Sequence, residues 1–419
     1  MMTGKERVEK VLSHQEADMI ALDFGATPVT GIHVKKIAEF RQHYGLENRP
    51  VKVVEPFQML GEVDDELAKI WNVDVIGVGG RSDMFGHTQE NYVDMRMPWG
   101  QTVWLPKSFQ MKEENGNIYV FPQGDVNCSP TAVMPDGGYF FDAIERIKAT
   151  EPDAELNIED NMEEFTLMPN ADMPYWKEAL TNARATGRAV IANIGGTGIG
   201  DIALVPGLHL KNPKGIRNIA DWYISTVMRT DFLLEIFDRQ SDIAIHNLEK
   251  LNQIAGDCID VLYVCGTDLG TQDSQFCSSD VLSALYGPAY RKINDWVHRN
   301  TKWKTFKHSC GAIVPLLETF IDCGFDIINP VQINAAGMEP HFLKKEFGDR
   351  ISFWGGGIDT QRVLQTGTPL QVKSQVHELC DIFGAGGGFV FNTVHNLQAN
   401  VPLENAIALM DAVGELRKR

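Results

Sequence analysis

In the stretch "FKHSCGAIVPLLETF" (306–320), His308 and Cys310 stand two residues apart. On an extended chain, positions i and i+2 point the same way, so both side chains can face one cavity. A neutral imidazole and a thiolate suit Zn²⁺, and a catalytic zinc takes three protein ligands and leaves one position open. The third ligand has to come from elsewhere. His395 in "GFVFNTVHN" (388–396) is the first candidate, and Asp268 in "VCGTDLGTQ" (264–272) is the alternative. The same spacing also fits a buried cysteine beside a hydrogen-bonded histidine. Asp268 and Asp359 are candidates for general acid or base work, or for capping the helices that follow them. Asn329 and Gln332 in "NPVQ" and Asn392 in "NTVHN" are candidates for substrate contacts.

Something must bring these scattered residues together. Eight short, mainly apolar runs recur along the chain: 19–26, 73–80, 188–196, 259–266, 303–310, 325–332, 351–357 and 388–395. They lack polar alternation, which is how strands buried on both faces of a parallel sheet read. Helical patterns separate them. The span 215–255 reads as two helices with a break at Asp231. Ser278 and Ser279 suit the N-cap of a helix over 280–300, and 312–323 carries Ile313, Leu316, Leu317 and Phe320 on one face. Further helices are expected at 338–347, 369–383 and 402–417, with Pro369 and Pro402 near their starts.

Eight strands with intervening helices predict an α/β protein of the (β/α)₈ TIM-barrel class, in which chemistry sits where strands run into the following loops. Every candidate named above falls at such a strand end. The expected organisation is one barrel over 1–419. The stretch 91–150 breaks its rhythm as a β-hairpin-rich insertion between strands two and three, with a turn at Glu114-Asn115-Gly116-Asn117. Residues 151–172 are acidic and irregular and read as a solvated connection. "GGTGIG" (195–200) has neither the lysine of a phosphate loop nor dinucleotide-type glycine spacing, so it reads as a strand-end loop.

The bulk composition narrows the classes. With 38 basic and 56 acidic residues, the net charge of −18 disfavours nucleic acid and anionic membrane as partners. The seven cysteines are odd in number, scattered and without a CxxC, which reads as reduced thiols in a cytoplasmic setting. The first residues are charged and show no signal-peptide core, and no run of about 18 apolar residues suggests a membrane span.

Three stretches, "HSCGAIVPLLETFIDCGFDIINPVQ" (308–332), "FWGGGIDTQRVLQTGTPLQV" (353–372) and "GGGFVFNTVHNLQANVPLENAIALMDAV" (386–413), resemble the uroporphyrinogen decarboxylase superfamily, most closely its corrinoid-dependent methyltransferase branch. "GKERVEKVLSHQEADMIALDFG" (4–25) is similar to that family's N-terminus. The resemblance implies a single barrel whose zinc is held by an HxC pair, here His308 and Cys310, and by a distant cysteine. The stretch matching that cysteine, 391–405, contains none; His395 is the ligand-type residue there. The implied activity is zinc-dependent transfer of a methyl group between a small methylated substrate or thiol and a separate corrinoid protein, since the chain carries no corrinoid-binding DxHxxG pattern. Asp268, Gln332, Asp359 and Asn392 would line the pocket. The superfamily also implies two alternatives, a metal-free decarboxylase or lyase and a non-catalytic ligand-binding member. Decarboxylases of the family carry an arginine-bearing stretch where "LDFGATPVTGIH" (22–33) has none. A homodimer stays open.

Overall fold

The computed structural model describes residues 2–151 and 154–418. Eight strands form its central sheet: β1 Ala21–Leu22, β2 Val75–Gly79, β3 Ala189–Asn193, β4 Val261–Cys265, β5 Lys304–His308, β6 Ile327–Asn329, β7 Ser352–Trp354 and β8 Phe389–Phe391. They lie in chain order around the sheet, with β8 returning to β1, and each ladder between neighbours is parallel. This is a (β/α)₈ TIM barrel, and all eight expected strands are in place.

Alternation explains the burial on both faces. Val75, Ala189, Ile191, Val261, Tyr263, Phe306, Ile327, Trp354 and Val390 pack together in the barrel interior. The intervening residues, such as Leu262, Val264 and Ile328, join the larger core beneath the helices. Between β1 and β2 the seam is closed through one side chain. The Asp74 N–H donates to the Leu22 carbonyl at 2.9 Å, and the Leu22 N–H donates back to the Asp74 carboxylate at 2.8 Å. Arg7 and Arg417 both hold that carboxylate, which is buried.

The helices between strands lie close to the expected positions. The break in 215–255 falls at Arg229 rather than Asp231, between helices Ile219–Met228 and Thr230–Ala255. Asp231 instead lies in the first turn of the second helix, where a carboxylate complements the helix N-terminus. Ser278 caps its helix by accepting the Val281 N–H. The 151–172 stretch is less solvated than expected: Met162, Phe165 and Met168 are buried, because its apolar residues pack down between its acidic ones.

Between β2 and β3, strands Met111–Glu114 and Asn117–Val120 pair antiparallel across Asn115-Gly116. Both turn residues have φ above +50°, a conformation that Asn and Gly tolerate best. A second sheet joins Tyr92–Arg96 and Thr102–Pro106 to Val51–Glu55, Leu60–Gly61 and Ile32–His33, so residues near the chain start help build this layer. No helix among the described residues is long and apolar enough to cross a membrane.

Candidate metal centre

His308 is the last residue of β5, and Cys310 follows just past the strand end. Two residues earlier, Phe306 points into the barrel and meets the rings of Tyr263 and Trp354, at 5.4 and 5.5 Å between centroids. His308 therefore tops an aromatic column at the barrel mouth and is only 3% exposed.

Across the mouth, the loop after β8 carries His395. One ligand atom from each of His308, Cys310 and His395 lies within 4.8 Å of the other two. Cys310 Sγ is 3.5 Å from His308 Nε2, and the two imidazoles meet edge to face, with centroids 5.5 Å apart and planes at 74°. Donors bound at about 2.1 and 2.3 Å to a common tetrahedral ion would be about 3.6 Å apart, so the spacing suits zinc.

The orientation of His308 is fixed from behind. Asn329, at the end of β6, donates its amide N–H to the Trp354 carbonyl at 2.8 Å, which turns its own Oδ1 toward His308. His308 Nδ1 is 2.6 Å from that oxygen and donates to it, so Nε2 keeps its lone pair for the mouth. His395 is prepared by its surroundings: burial, then the neighbouring His308, push its pKa down to about 4. It is neutral across the physiological range.

Asp268, in the loop after β4, sits at the rim with its side chain 37% exposed. Its Oδ1 accepts the Cys310 N–H at 2.7 Å and lies 3.4 Å from His308 Nε2. Burial alone would raise this carboxyl, but the charge His308 carries when protonated and the bond from the Cys310 N–H hold it below the ordinary range. The Cys310 thiol is pushed well up by burial and then by that carboxylate, so it holds its proton until something displaces it.

Gly311 brings the loops together. Its φ is +91°, and a Cβ there would come within 2.3 Å of the Gly270 backbone, so the β5 and β4 loops touch only because both residues are glycine. Gln332 braces this contact, accepting the Gly311 N–H at 2.8 Å and donating to Gln272 at 3.1 Å.

The other candidates sit in supporting hydrogen bonds. Asn392 donates to the Asp23 carbonyl at 2.7 Å and ties β8 to β1. Asp359 closes the turn after β7, accepting the Gln361 and Arg362 N–H groups at 2.8 and 3.0 Å. Thus the structure joins His308, Cys310, His395, Asp268 and Asn329 directly, and Gln332 through the Cys310 loop.

Lys307 was not singled out from the sequence. Its fully buried ammonium donates to the carbonyls of Thr267 at 2.8 Å and His308 at 2.6 Å, pinning the ends of β4 and β5. A lysine in the middle of an otherwise buried strand was the available signal. Tyr263 was also passed over, because aromatic residues in strands read as core. It lies in the barrel interior, and burial followed by Asp201 holds its phenol protonated.

Residues 214–416 match the family model for uroporphyrinogen decarboxylase (URO-D). That part, just under half of the chain, is similar to the URO-D superfamily. It spans β4 to β8 and every candidate site residue named above. A uroporphyrinogen decarboxylase from Psychromonas ingrahamii is 34% identical over 101 residues, 24% of this chain and 26% of that one. The chain thus matches about a quarter of the length of that URO-D relative. A solved methyltransferase from Methanosarcina mazei shares the fold over 99% of both chains, with a TM-score of 0.54 and 14% identity.

Proposed function

We propose that this chain is a zinc-dependent methyltransferase of the URO-D superfamily that moves a methyl group between a small methylated substrate or thiol and a separate corrinoid protein. The observation that carries the reading is the meeting of His308, Cys310 and His395 at the barrel mouth. The fold shared with the Methanosarcina mazei methyltransferase is in keeping with it. On this reading residues 1–419 act as one barrel, and 91–150 is an insertion that adds a layer beside it.

In this reading His308, Cys310 and His395 hold zinc, which supplies Lewis acidity to lower the pKa of a thiol or polarise a methoxyl oxygen. The chain's own residues do the rest. Asn329 keeps the His308 Nε2 lone pair aimed at the mouth. The burial that keeps His395 neutral removes the need to expel a proton from it. Cys310 must lose its proton to bind, and the negative charge then gained beside Asp268 is balanced by the cation. Two imidazoles and one thiolate give the centre one unit less negative charge than one imidazole and two thiolates, which sharpens its pull on an oxygen or sulfur ligand. Asp268, ionised at the rim, is the group best situated to accept a hydrogen bond or a proton there.

Metal analysis after purification without chelators tests this. The expected result is about one zinc per chain in the parent protein and less than about 0.2 in Cys310→Ala, with an unchanged circular dichroism spectrum. A parent protein below about 0.2 zinc per chain sinks the metal site. Loss of methylcobalamin absorbance in the presence of thiols reads the transfer itself. The 34% identical stretch shared with a decarboxylase favours a second reading, CO₂ release without metal. Turnover that is indifferent to chelator and releases CO₂ would select it.

A further inference from the structure

A narrow crevice opens on the flank of the barrel, beside the loop that follows β3. Gly198, Gly200 and Asp201 line it on the barrel side, and Glu164, Trp222 and Gln240 line it on the other. Three buried polar atoms around it have no partner among the described residues: Trp222 Nε1, Gln240 Oε1 and Tyr286 Oη. The Tyr286 ring packs directly against Gly200. Trp222 Nε1 and Tyr286 Oη are close neighbours without being bonded, an arrangement that a bridging water fits. Unmade hydrogen bonds of this kind cost free energy, and water entering the crevice recovers it.

Asp201 joins the crevice to the barrel mouth. It is partly exposed, and its Oδ2 accepts the N–H of Gly266, just past the end of β4, at 2.9 Å. Its Oδ1 accepts the Ala203 N–H at 3.0 Å. A Cβ on Gly266 would lie 2.5 Å from Tyr263 Oη and 2.9 Å from Asp201 Oδ2, so both oxygens border one small space that glycine leaves free. Tyr263 in turn stacks on Phe306, two residues before His308. Polar atoms therefore run from the flank, through Asp201 and Tyr263, to the floor of the mouth. Burial, helped by Asp268, raises the Asp201 carboxyl above the ordinary range, against the Ala203 and Gly266 N–H groups and Lys307. The other ionisable groups around it are the phenols of Tyr223, Tyr263 and Tyr290, which burial keeps protonated, and the paired Glu164 and Arg217.

We propose that the crevice is a proton inlet, and that Asp201, acting through the Tyr263 hydroxyl, passes one proton per turnover between solvent and the reacting atom at the barrel mouth. The inference rests on the methyl-transfer reading. Direct transfer to or from a corrinoid seats that partner over the mouth, so the proton needs a path from the side. When cobalt(I) takes the methyl group of a methoxyl, the O–CH3 bond breaks, the Co–CH3 bond forms and an alkoxide is left. The alkoxide takes the Tyr263 proton, Tyr263 takes one from Asp201, and Asp201 takes one from water in the crevice. Methylation of a thiol runs the chain outward: the S–CH3 bond forms, the Co–CH3 electron pair stays on cobalt, and the thiol proton leaves. Asp201 touches neither substrate nor metal on this route and is a positioning residue for the proton.

Infrared difference titration of the full chain reads Asp201 without turnover. The expected result is a protonated-carboxyl band that titrates above the pH of ordinary aspartates, about 4, shifts promptly in deuterium oxide and is missing in Asp201→Asn. Identical bands in the two proteins overturn the proposal. Methyl transfer from methylcobalamin to mercaptoethanol reads the relay. Asp201→Asn is expected to slow it about 100-fold and to remove one limb of its pH profile, with zinc content and circular dichroism unchanged, and Asp201→Glu to regain part of the rate. Gly198→Val, whose Cβ would lie 3.3 Å from the Asp201 side chain, narrows the crevice and is expected to slow transfer about tenfold. A parent-like pH profile in Asp201→Asn, or a parent-like rate in Gly198→Val, overturns the inlet. A parent protein that binds zinc and transfers no methyl group overturns the methyl-transfer reading instead, and the infrared titration still decides whether Asp201 exchanges protons with the crevice.

Discussion

A histidine is useful to a metal only if the correct nitrogen carries the lone pair. At His308 that choice is made by Asn329, and the amide of Asn329 is itself set by the Trp354 carbonyl. Asn329→Leu keeps the bulk but removes the acceptor, leaving Nδ1–H unpaired and the ring free to turn. Zinc affinity is expected to fall 10- to 100-fold, measured by competition with a chromophoric chelator, with little change in fold. An unchanged affinity would mean that His308 is oriented by something else. Asn329 was legible in the sequence only as a polar residue at a strand end, and substrate contact was the natural reading. Its role depends on the distance between β5 and β6 and on the Trp354 carbonyl behind it, and neither is encoded in local pattern. The HxC pair, by contrast, was legible because its geometry is local: i and i+2 on a strand face the same way wherever that strand lies.

Elements lend themselves to the same distinction. The eight barrel strands were readable because burial on both faces leaves a long apolar run with no polar alternation, as "VLYVC" at β4 shows. The second sheet was harder, because it joins residues near the chain start to 91–150, a pairing between segments distant in sequence. His33 is one of its fasteners. Its Nδ1 accepts the Lys35 N–H at 3.1 Å and caps the following helix, while its Nε2–H donates to the Tyr139 carbonyl at 2.9 Å. Accepting at Nδ1 requires the neutral ring, and burial, with help from nearby Lys35 and Lys36 and against the Tyr139 contact that favours the proton, leaves its pKa at about 4, against 6.5 unfolded. The unfolded chain therefore takes up the proton first as pH falls. The stability from this group is full above pH 6.5 and declines toward pH 4, by up to about 3 kcal/mol. His33→Asn, which can still cap and donate, is expected to flatten that part of the stability curve from urea unfolding at pH 4 to 7. A variant with the parent's slope would exclude His33 as its source.

At the scale of the whole molecule, the barrel seam rests on Asp74. Its carboxylate is 1% exposed and is shared by Arg7, Arg417 and the Leu22 N–H. Removing one partner of a buried charge group strands the others. Asp74→Ala, which leaves two buried guanidinium groups facing each other, is expected to cost about 3–5 kcal/mol in chemical unfolding. A loss of under about 1 kcal/mol would mean that packing alone closes the seam. The sequence could place Asp74 at the start of the second strand, but nothing in its neighbours reveals that arginines near both ends of the chain converge on it.

That convergence also bears on how the fold is reached in time. Asp74 and Arg417 are 343 positions apart, while β2 through β8 each pair with their neighbours in chain order. Those local pairings can form progressively, but the ring closes only when β1 and β2, from the first part of the chain, meet the strand and arginine from its last part. Loop-closure entropy makes such a contact late and slow. Until then β1 and β2 have edges open to other chains, so aggregation during refolding is most probable at that stage, when the sheet is almost complete and still uncurled.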